Sequence, residues 1–419
     1  MTQHPAHNLA RVIGNRLAHP DTAPTASSTQ PWWPQSLAHG VPGIALLHIE
    51  LAAASLAPWQ RAHDWLTAAV RKPVTTGADS HPYYGAPALA HALSLAADHL
   101  PGSYRRALDA LDRQIIIDTR RRLVDAHRRI DQGHLPALAE FDALQGLTGY
   151  GAYLLRRDPD ATVLRDVLDY LVHLTTQPMT IDGEALPGWW TPSGPSGRKD
   201  NRFPDGHGNN GTAHGVTGVL NLLSLAARHG TVVNGQLDTI DTICGWLDRW
   251  RTDSDHRPTW PYWITRAELR AGKAAPHPPL RPSWCYGTAG LARGQQLAAL
   301  AVGDAGRQSM AENALMTALT DHAQLAATTD ISLCHGFAGL ARVAHRAAAD
   351  ALPQNRTQIR ALISALLDTV HPLGRDPEEA TTVITTDPDR GPGLLDGAAG
   401  IALAVLPPHT TWDSCLLIA

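Results

Sequence analysis

Cysteine is scarce. Cys244, Cys285, Cys334 and Cys415 are the only four. They lie far apart, without the close spacing of a disulfide-stapled secreted scaffold, so a reducing cytoplasm is the expected compartment. Aromatic residues make up 5% of the chain, although 12 of them are Trp. β-Branched residues are few outside short runs, which argues against a sheet-based fold. Charge of one sign is not in excess: the formal net charge is −4, so neither nucleic acid nor an anionic membrane is implied as a partner. Long apolar runs are missing as well. Gly400 to Leu406 is among the longest, far short of the roughly 20 residues that span a bilayer. The opening stretch from Met1 to Pro31 has no apolar core of the signal-peptide kind. These absences predict a soluble, cytoplasmic protein with no integral membrane segment.

What the sequence does hold is Ala, Leu and Gly in an ordered arrangement. With 419 residues and 43% apolar content, a sizeable core is available. The expected organisation is a polar N-terminal segment, 1–35, followed by one all-α domain, 36–419. Short turns of Gly-x-x-Gly type recur, each followed by an apolar helix. They are His39-Gly40-Val41-Pro42-Gly43, Tyr84-Gly85-Ala86-Pro87-Ala88 and Gln145-Gly146-Leu147-Thr148-Gly149. His214-Gly215-Val216-Thr217-Gly218 and Tyr286-Gly287-Thr288-Ala289-Gly290 follow. The last are His335-Gly336-Phe337-Ala338-Gly339 and Asp396-Gly397-Ala398-Ala399-Gly400. Their spacing of roughly 45 to 70 residues leaves room for a second helix before the next turn, the signature of a helical repeat. A ring of about seven hairpins fits the length, with the inner helices entered through glycines.

Between the turns lie three segments of note. Tyr104 to Ile130 reads as a helix rich in Arg (Arg105, Arg106, Arg113, Arg120, Arg121, Arg122, Arg128, Arg129). A solvated outer face is preferred there over a docking surface for an acidic peptide. Ile181 to Gly211 and Thr252 to Ser283 are long and irregular, and loops of that length are usually functional. The second contains Trp260-Pro261-Tyr262-Trp263-Ile264, expected to be extended.

In register, the residues before the first glycine are His39, Tyr84, Gln145, His214, Tyr286, His335 and Asp396. Cys285 and Cys334 share the position before that. If the inner helices run the same way, Cys285, Cys334, His335 and His214 meet at one end of the ring, and Asp142 reaches the same cavity. Two Cys and one His with an open fourth position is the pattern of a catalytic zinc. Spacing alone would equally allow buried structural cysteines; the shared register favours the metal. A helix N-terminus also favours a thiolate. Asp142 reads as a helix N-cap as readily as a site residue. His39 is expected to be structural, Asp396 a helix-start acid, and Cys244 and Cys415 inert.

The stretches Asn209-Asn210-Gly211-Thr212-Ala213-His214-Gly215, Trp284-Cys285-Tyr286-Gly287 and Cys334-His335-Gly336 resemble the lanthionine synthetase C-like family, specifically its stand-alone lanthipeptide cyclases. Phe141-Asp142 before Gly146-Leu147-Thr148-Gly149 and the ending Trp412-Asp413-Ser414-Cys415-Leu416-Leu417 fit too. The likeness runs from His39 to Leu417. Ala88 in place of glycine and Phe141 where Tyr is common are modest departures.

The resemblance implies an α/α toroid, one Zn2+ held by Cys285, Cys334 and His335, and catalytic roles for His214 and Asp142. It also implies that the substrate is a precursor peptide already dehydrated at Ser and Thr, with a separate dehydratase and a transporter as partners. The implied reaction adds a peptide Cys thiol to dehydroalanine or dehydrobutyrine, forming a lanthionine or methyllanthionine thioether. His214 is then the acid or base, oriented by Asp142. Tyr286 and Arg281, beside the ligand in sequence, are further candidates for stabilising the enolate. Two alternatives remain: a non-catalytic zinc-containing scaffold that binds a peptide or glutathione, and a protein prenyltransferase β-subunit-like enzyme, which low aromatic content disfavours.

Overall fold

The computed structural model describes residues 4–23, 33–254, 257–387 and 390–419. Each of the seven turns leads into a helix. These are α1 (Val41–Ala53), α2 (Ala86–His99), α3 (Leu147–Arg157), α4 (Val216–Arg228), α5 (Thr288–Val302), α6 (Phe337–Asp350) and α7 (Ala398–Val405). They are Ala- and Leu-rich on all sides. Pro42 to Ala52 of α1, Val216 to Ala226 of α4 and all of α7 are buried, as a helix apolar all round requires. Their partner helices bury one stripe only. Along Trp59–Ala69, for example, Ala62, Trp65, Leu66 and Ala69 are buried and the rest is open.

Contacts divide the chain into two units. The first comprises 1–115, 328–348 and 357–413. There α1 packs on Trp59–Ala69, and α7 packs on α1 and on the helix Pro5–Arg16. That last helix lies inside the expected polar segment 1–35. Its Ala6, Leu9, Ala10 and Ile13 are buried, a spacing of three and four residues that an average over a polar stretch conceals. Residues 1–3 and 24–32 of that segment lie outside the described residues. The second unit comprises 116–327, 349–356 and 414–419. There α5 packs on α4 and on the helix Ala305–Ala318, while α3 packs on α4 and on Thr162–Thr176.

Backbone hydrogen bonds tie the turns together within each unit. In the first, Leu37 N–H donates to Tyr83 C=O, Leu395 N–H to Ala38 C=O and Cys334 N–H to Leu395 C=O. The last turn of the chain is therefore bonded to the first. In the second, Thr212 and Ala213 N–H donate to Cys285 C=O, and Ala143 N–H donates to Ala213 C=O. The second glycine of a turn has a steric reason. A Cβ on Gly290, Gly339 or Gly400 would stand 2.0, 2.0 or 1.6 Å from the carbonyl oxygen six residues earlier, closer than any side chain tolerates. The second turn differs because Gly85 takes φ +72 and Ala88 occupies the later position.

The Arg-rich helix spans Arg105–Asp131, with Arg105, Arg106, Arg113, Arg120 and Arg128 exposed. The two irregular segments fold into short strands: β1 (Met179–Ile181), β2 (Glu184–Leu186), β3 (His207–Asn209), β4 (Thr252–Ser254), β5 (Arg257–Thr259) and β6 (Trp263–Thr265). β1 pairs with β2 and β4 with β5 as hairpins. β3 pairs with β6 across the two segments, with Asn209 opposite Trp263. Asn210 continues the link: its N–H donates to Tyr262 C=O and its side-chain amide to Pro261 C=O. That pairing fixes the approach of the chain to His214. Among the described residues, no helix is long and apolar enough to cross a membrane.

Candidate metal centre and acid–base pair

Four of the turns share a cap, of which only Asp142 stood out in the sequence. A polar side chain three residues before the aligned position accepts that position's N–H. Ser36 Oγ takes His39 N–H, Ser283 Oγ takes Tyr286 N–H, and Ser332 Oγ takes His335 N–H. In the third turn the cap is Asp142, whose Oδ1 accepts Gln145 N–H at 2.6 Å and Gly146 N–H at 2.9 Å. A serine would be used up by this duty. A carboxylate keeps a second oxygen, and Asp142 Oδ2 lies 2.6 Å from His214 Nδ1. The N-cap of α3 is Gly146, not Asp142 as the sequence allowed; Asp142 closes the turn before it and partners His214. Because a carboxylate only accepts, Nδ1 carries the proton, and Nε2 is the imidazole's remaining nitrogen.

Asp142 is 1% exposed, while the His214 side chain is 25% exposed. Burial pulls the imidazole pKa down. The hydrogen bond and charge of Asp142, with a smaller contribution from Cys285, outweigh it and raise the value above the ordinary one. Cys285 is buried, and its C=O accepts the two N–H groups just before His214. The Tyr286 ring stands 6.2 Å from the His214 ring, at 34°. Arg281 meets Tyr262, whose hydroxyl donates to the Arg281 C=O at 2.9 Å.

In the first unit, Cys334 and His335 sit on the turn bonded to Leu395. His335 Nε2 is 3.2 Å from Asp330 Oδ2 and Nδ1 is 3.6 Å from Asp396 Oδ1. Asp330 is itself held by Ser332 N–H at 2.7 Å. Burial alone would raise the Asp330 pKa, but His335 and Ser332 hold its carboxyl well below the usual range. Asp330 escaped the sequence reading because it lies outside the repeated turn. Its only signal was an acid five residues ahead of a suspected ligand. Asp396, expected to be a plain helix-start acid, also faces His335. His39 is half-buried and feels the Asp396 charge. Cys244 is buried, and burial pushes its thiol up to about 12, consistent with an inert side chain.

One ligand atom each from Cys285, Cys334 and His335 lies within 4.8 Å of the other two. Two thiolates and an imidazole suit zinc better than magnesium or calcium, which prefer oxygen. The group could therefore bind a metal and leave a fourth position to an incoming ligand.

A model of the family described as lanthionine synthetase C-like protein matches residues 31–417. A comparison with curated protein sequences finds no match. Among solved structures, the chain is similar to one titled "Nisin cyclase", with a TM-score of 0.77 and 20% sequence identity over 98% of this chain and 96% of that one. That likeness shows the fold, the α/α toroid expected from the repeated turns.

Proposed function

The chain belongs to the lanthionine synthetase C-like family, and from that premise we propose that it is a zinc-dependent lanthipeptide cyclase. Its substrate is a precursor peptide already dehydrated at Ser and Thr. A Cys thiol of that peptide adds to dehydroalanine or dehydrobutyrine and closes a thioether ring. The observation that carries the reading is the Cys285, Cys334 and His335 group. Support comes from the His214–Asp142 pair: the His214 turn is hydrogen-bonded to the one that bears Cys285, and the Asp142 turn to the His214 turn.

The residues divide the work. Cys285, Cys334 and His335 hold Zn2+. When bound, the metal supplies a Lewis acid with an open position, which lowers the pKa of an arriving peptide thiol. The sulfur forms a bond to the β-carbon, and the double-bond electrons move to the α-carbon and its carbonyl. The α-carbon then takes a proton. His214 carries out proton transfer, and its raised pKa favours the donor role. Asp142 fixes the ring orientation and supports the imidazolium. Tyr286 borders His214 and is the nearer candidate for enolate stabilisation. Arg281 is the more distant one, through Tyr262.

Incubation of the zinc-loaded protein with a dehydrated Cys-containing precursor tests this reading. Ring formation leaves the mass unchanged and removes the thiol from alkylation. Persistent alkylation of every Cys would exclude cyclisation of that peptide. A separate dehydratase and a transporter, as expected from the family likeness, belong to the same proposal.

Asp330 completes the metal centre by orienting His335 through Nε2. Partners of ligating histidines typically contribute 10- to 100-fold in metal affinity, so Asp330→Asn should weaken zinc binding by about that factor. Ring closure should recover at saturating zinc. A chelator-competition titration measures the affinity, and an unchanged value would remove Asp330 from the centre.

A further inference from the structure

A column of aromatic rings in the second unit begins at His214. Tyr286 stands 6.2 Å from the imidazole, and Tyr262 and Trp263 stand 5.6 and 6.1 Å from Tyr286. Phe203 continues the column, edge-on to Trp263 at 5.4 Å. Beyond it Arg202, ion-paired with Asp200, lies over the Phe203 ring.

Exposure sets three of these rings apart, while Phe203 is buried. Trp189, Trp190, Trp246, Trp250 and Trp260, in the same unit, are buried core residues. Tyr286, Tyr262 and Trp263 are each partly open to solvent. Three large rings left partly open side by side forgo some of the stabilisation that full burial gives an apolar side chain. The rings are also held still. Trp263 lies in β6, paired to β3, and the Tyr262 hydroxyl is anchored on the Arg281 carbonyl. Burial pushes the Tyr262 phenol up to about 12, so its face is neutral at physiological pH. A fixed aromatic platform beside a reacting centre is suited to apolar or aromatic side chains.

Building on the cyclase reading, we propose that Tyr262 and Trp263, continuing from Tyr286, form a specificity platform that receives an apolar or aromatic side chain of the precursor peptide next to its reacting Cys. An extended peptide advances about 3.3 to 3.6 Å per residue. The steps of 5.6 and 6.1 Å from Tyr286 to Tyr262 and Trp263 are each less than two residues long, within reach of the side chain that follows the Cys.

Two synthetic peptides test the platform. Each carries one dehydroalanine and one Cys, with either Phe or Gly following the Cys. The wild-type protein should favour the Phe peptide about five- to tenfold in kcat/KM, carried by KM, as one aromatic pair allows. Trp263→Ala and Tyr262→Leu should each reduce the preference to below about twofold, and Trp263→Ala should do so with zinc content and kcat on the Gly peptide unchanged. Trp263→Phe should retain most of it. Equal rates for both peptides with the wild type, or a preference that survives both variants, would overturn the platform. If the zinc-loaded wild type cyclises neither peptide, the cyclase reading is what fails. Calorimetric binding of the two chemically prepared thioether peptides then decides the platform by the same criterion: Phe bound more tightly, and the difference lost in Trp263→Ala.

Discussion

His214→Ala should stop ring formation while leaving about one zinc per chain in place. General acid–base catalysis contributes roughly 100- to 10,000-fold, and a loss in that range is expected in kcat at saturating peptide. Zinc content by metal analysis separates this from damage to the metal centre, because His214 is not among the three grouped ligands. A normal rate would remove His214 from the mechanism. The pH profile adds a second reading. The Asp142 hydrogen bond and charge raise the His214 pKa against the effect of burial. The protonated ring is thus stabilised in the folded chain. The corresponding contribution to stability is complete below the unfolded value, about 6.5, and is lost as pH rises through the higher folded value. A proton donor follows the same course, so activity should decline with rising pH through that value. Asp142→Asn removes the charge, and the decline should move to lower pH. The amide keeps an oxygen for the Gln145 and Gly146 N–H groups, so the turn should survive and the shift should be readable in folded protein. A pH profile that does not move would assign Asp142 to capping alone.

Cys285→Ala and Cys334→Ala should each lose both metal and cyclisation. Each variant keeps one thiolate and His335, two ligands where a catalytic zinc site has three. Full zinc retention in both variants would overturn the ligand assignment. Stability offers an independent check. A ligand that binds only the folded chain stabilises it by about 2.7 kcal/mol at 100 times its Kd. Chelation should therefore lower the Tm of the wild type and leave the two variants unmoved. Cys244→Ala serves as the control. Its buried thiol, pushed up to about 12, is not in the group, so zinc content and rate should match the wild type.

Much of the site was legible because the repeat is local. A Gly-x-x-Gly turn before an Ala- and Leu-rich helix is visible within a dozen residues; register aligned Cys285 with Cys334 and His214 with His335, and the family resemblance supplied the ligand set. The same reasoning missed Asp330, which reaches His335 from outside the turn. It also passed over the buried stripe of Pro5–Arg16, hidden in a polar stretch. Trp263 was read as extended, but its partner strand β3 lies far away in sequence, and no local pattern identifies it.

Asp142 marks the boundary between the two kinds of information. The sequence by itself determined the order of helices, the turns that start them and the chemical types offered at each turn. Those follow from backbone sterics, apolar periodicity and ligand chemistry, all of which act over a few residues. Only the tertiary structure decided that one Asp142 oxygen caps its own turn while the other holds His214, 72 positions away. It also decided that Asp330, outside the repeated turn, meets His335. Such pairings depend on how helices pack and on carbonyls six residues back crowding a glycine. Those distances are set by the folded chain as a whole.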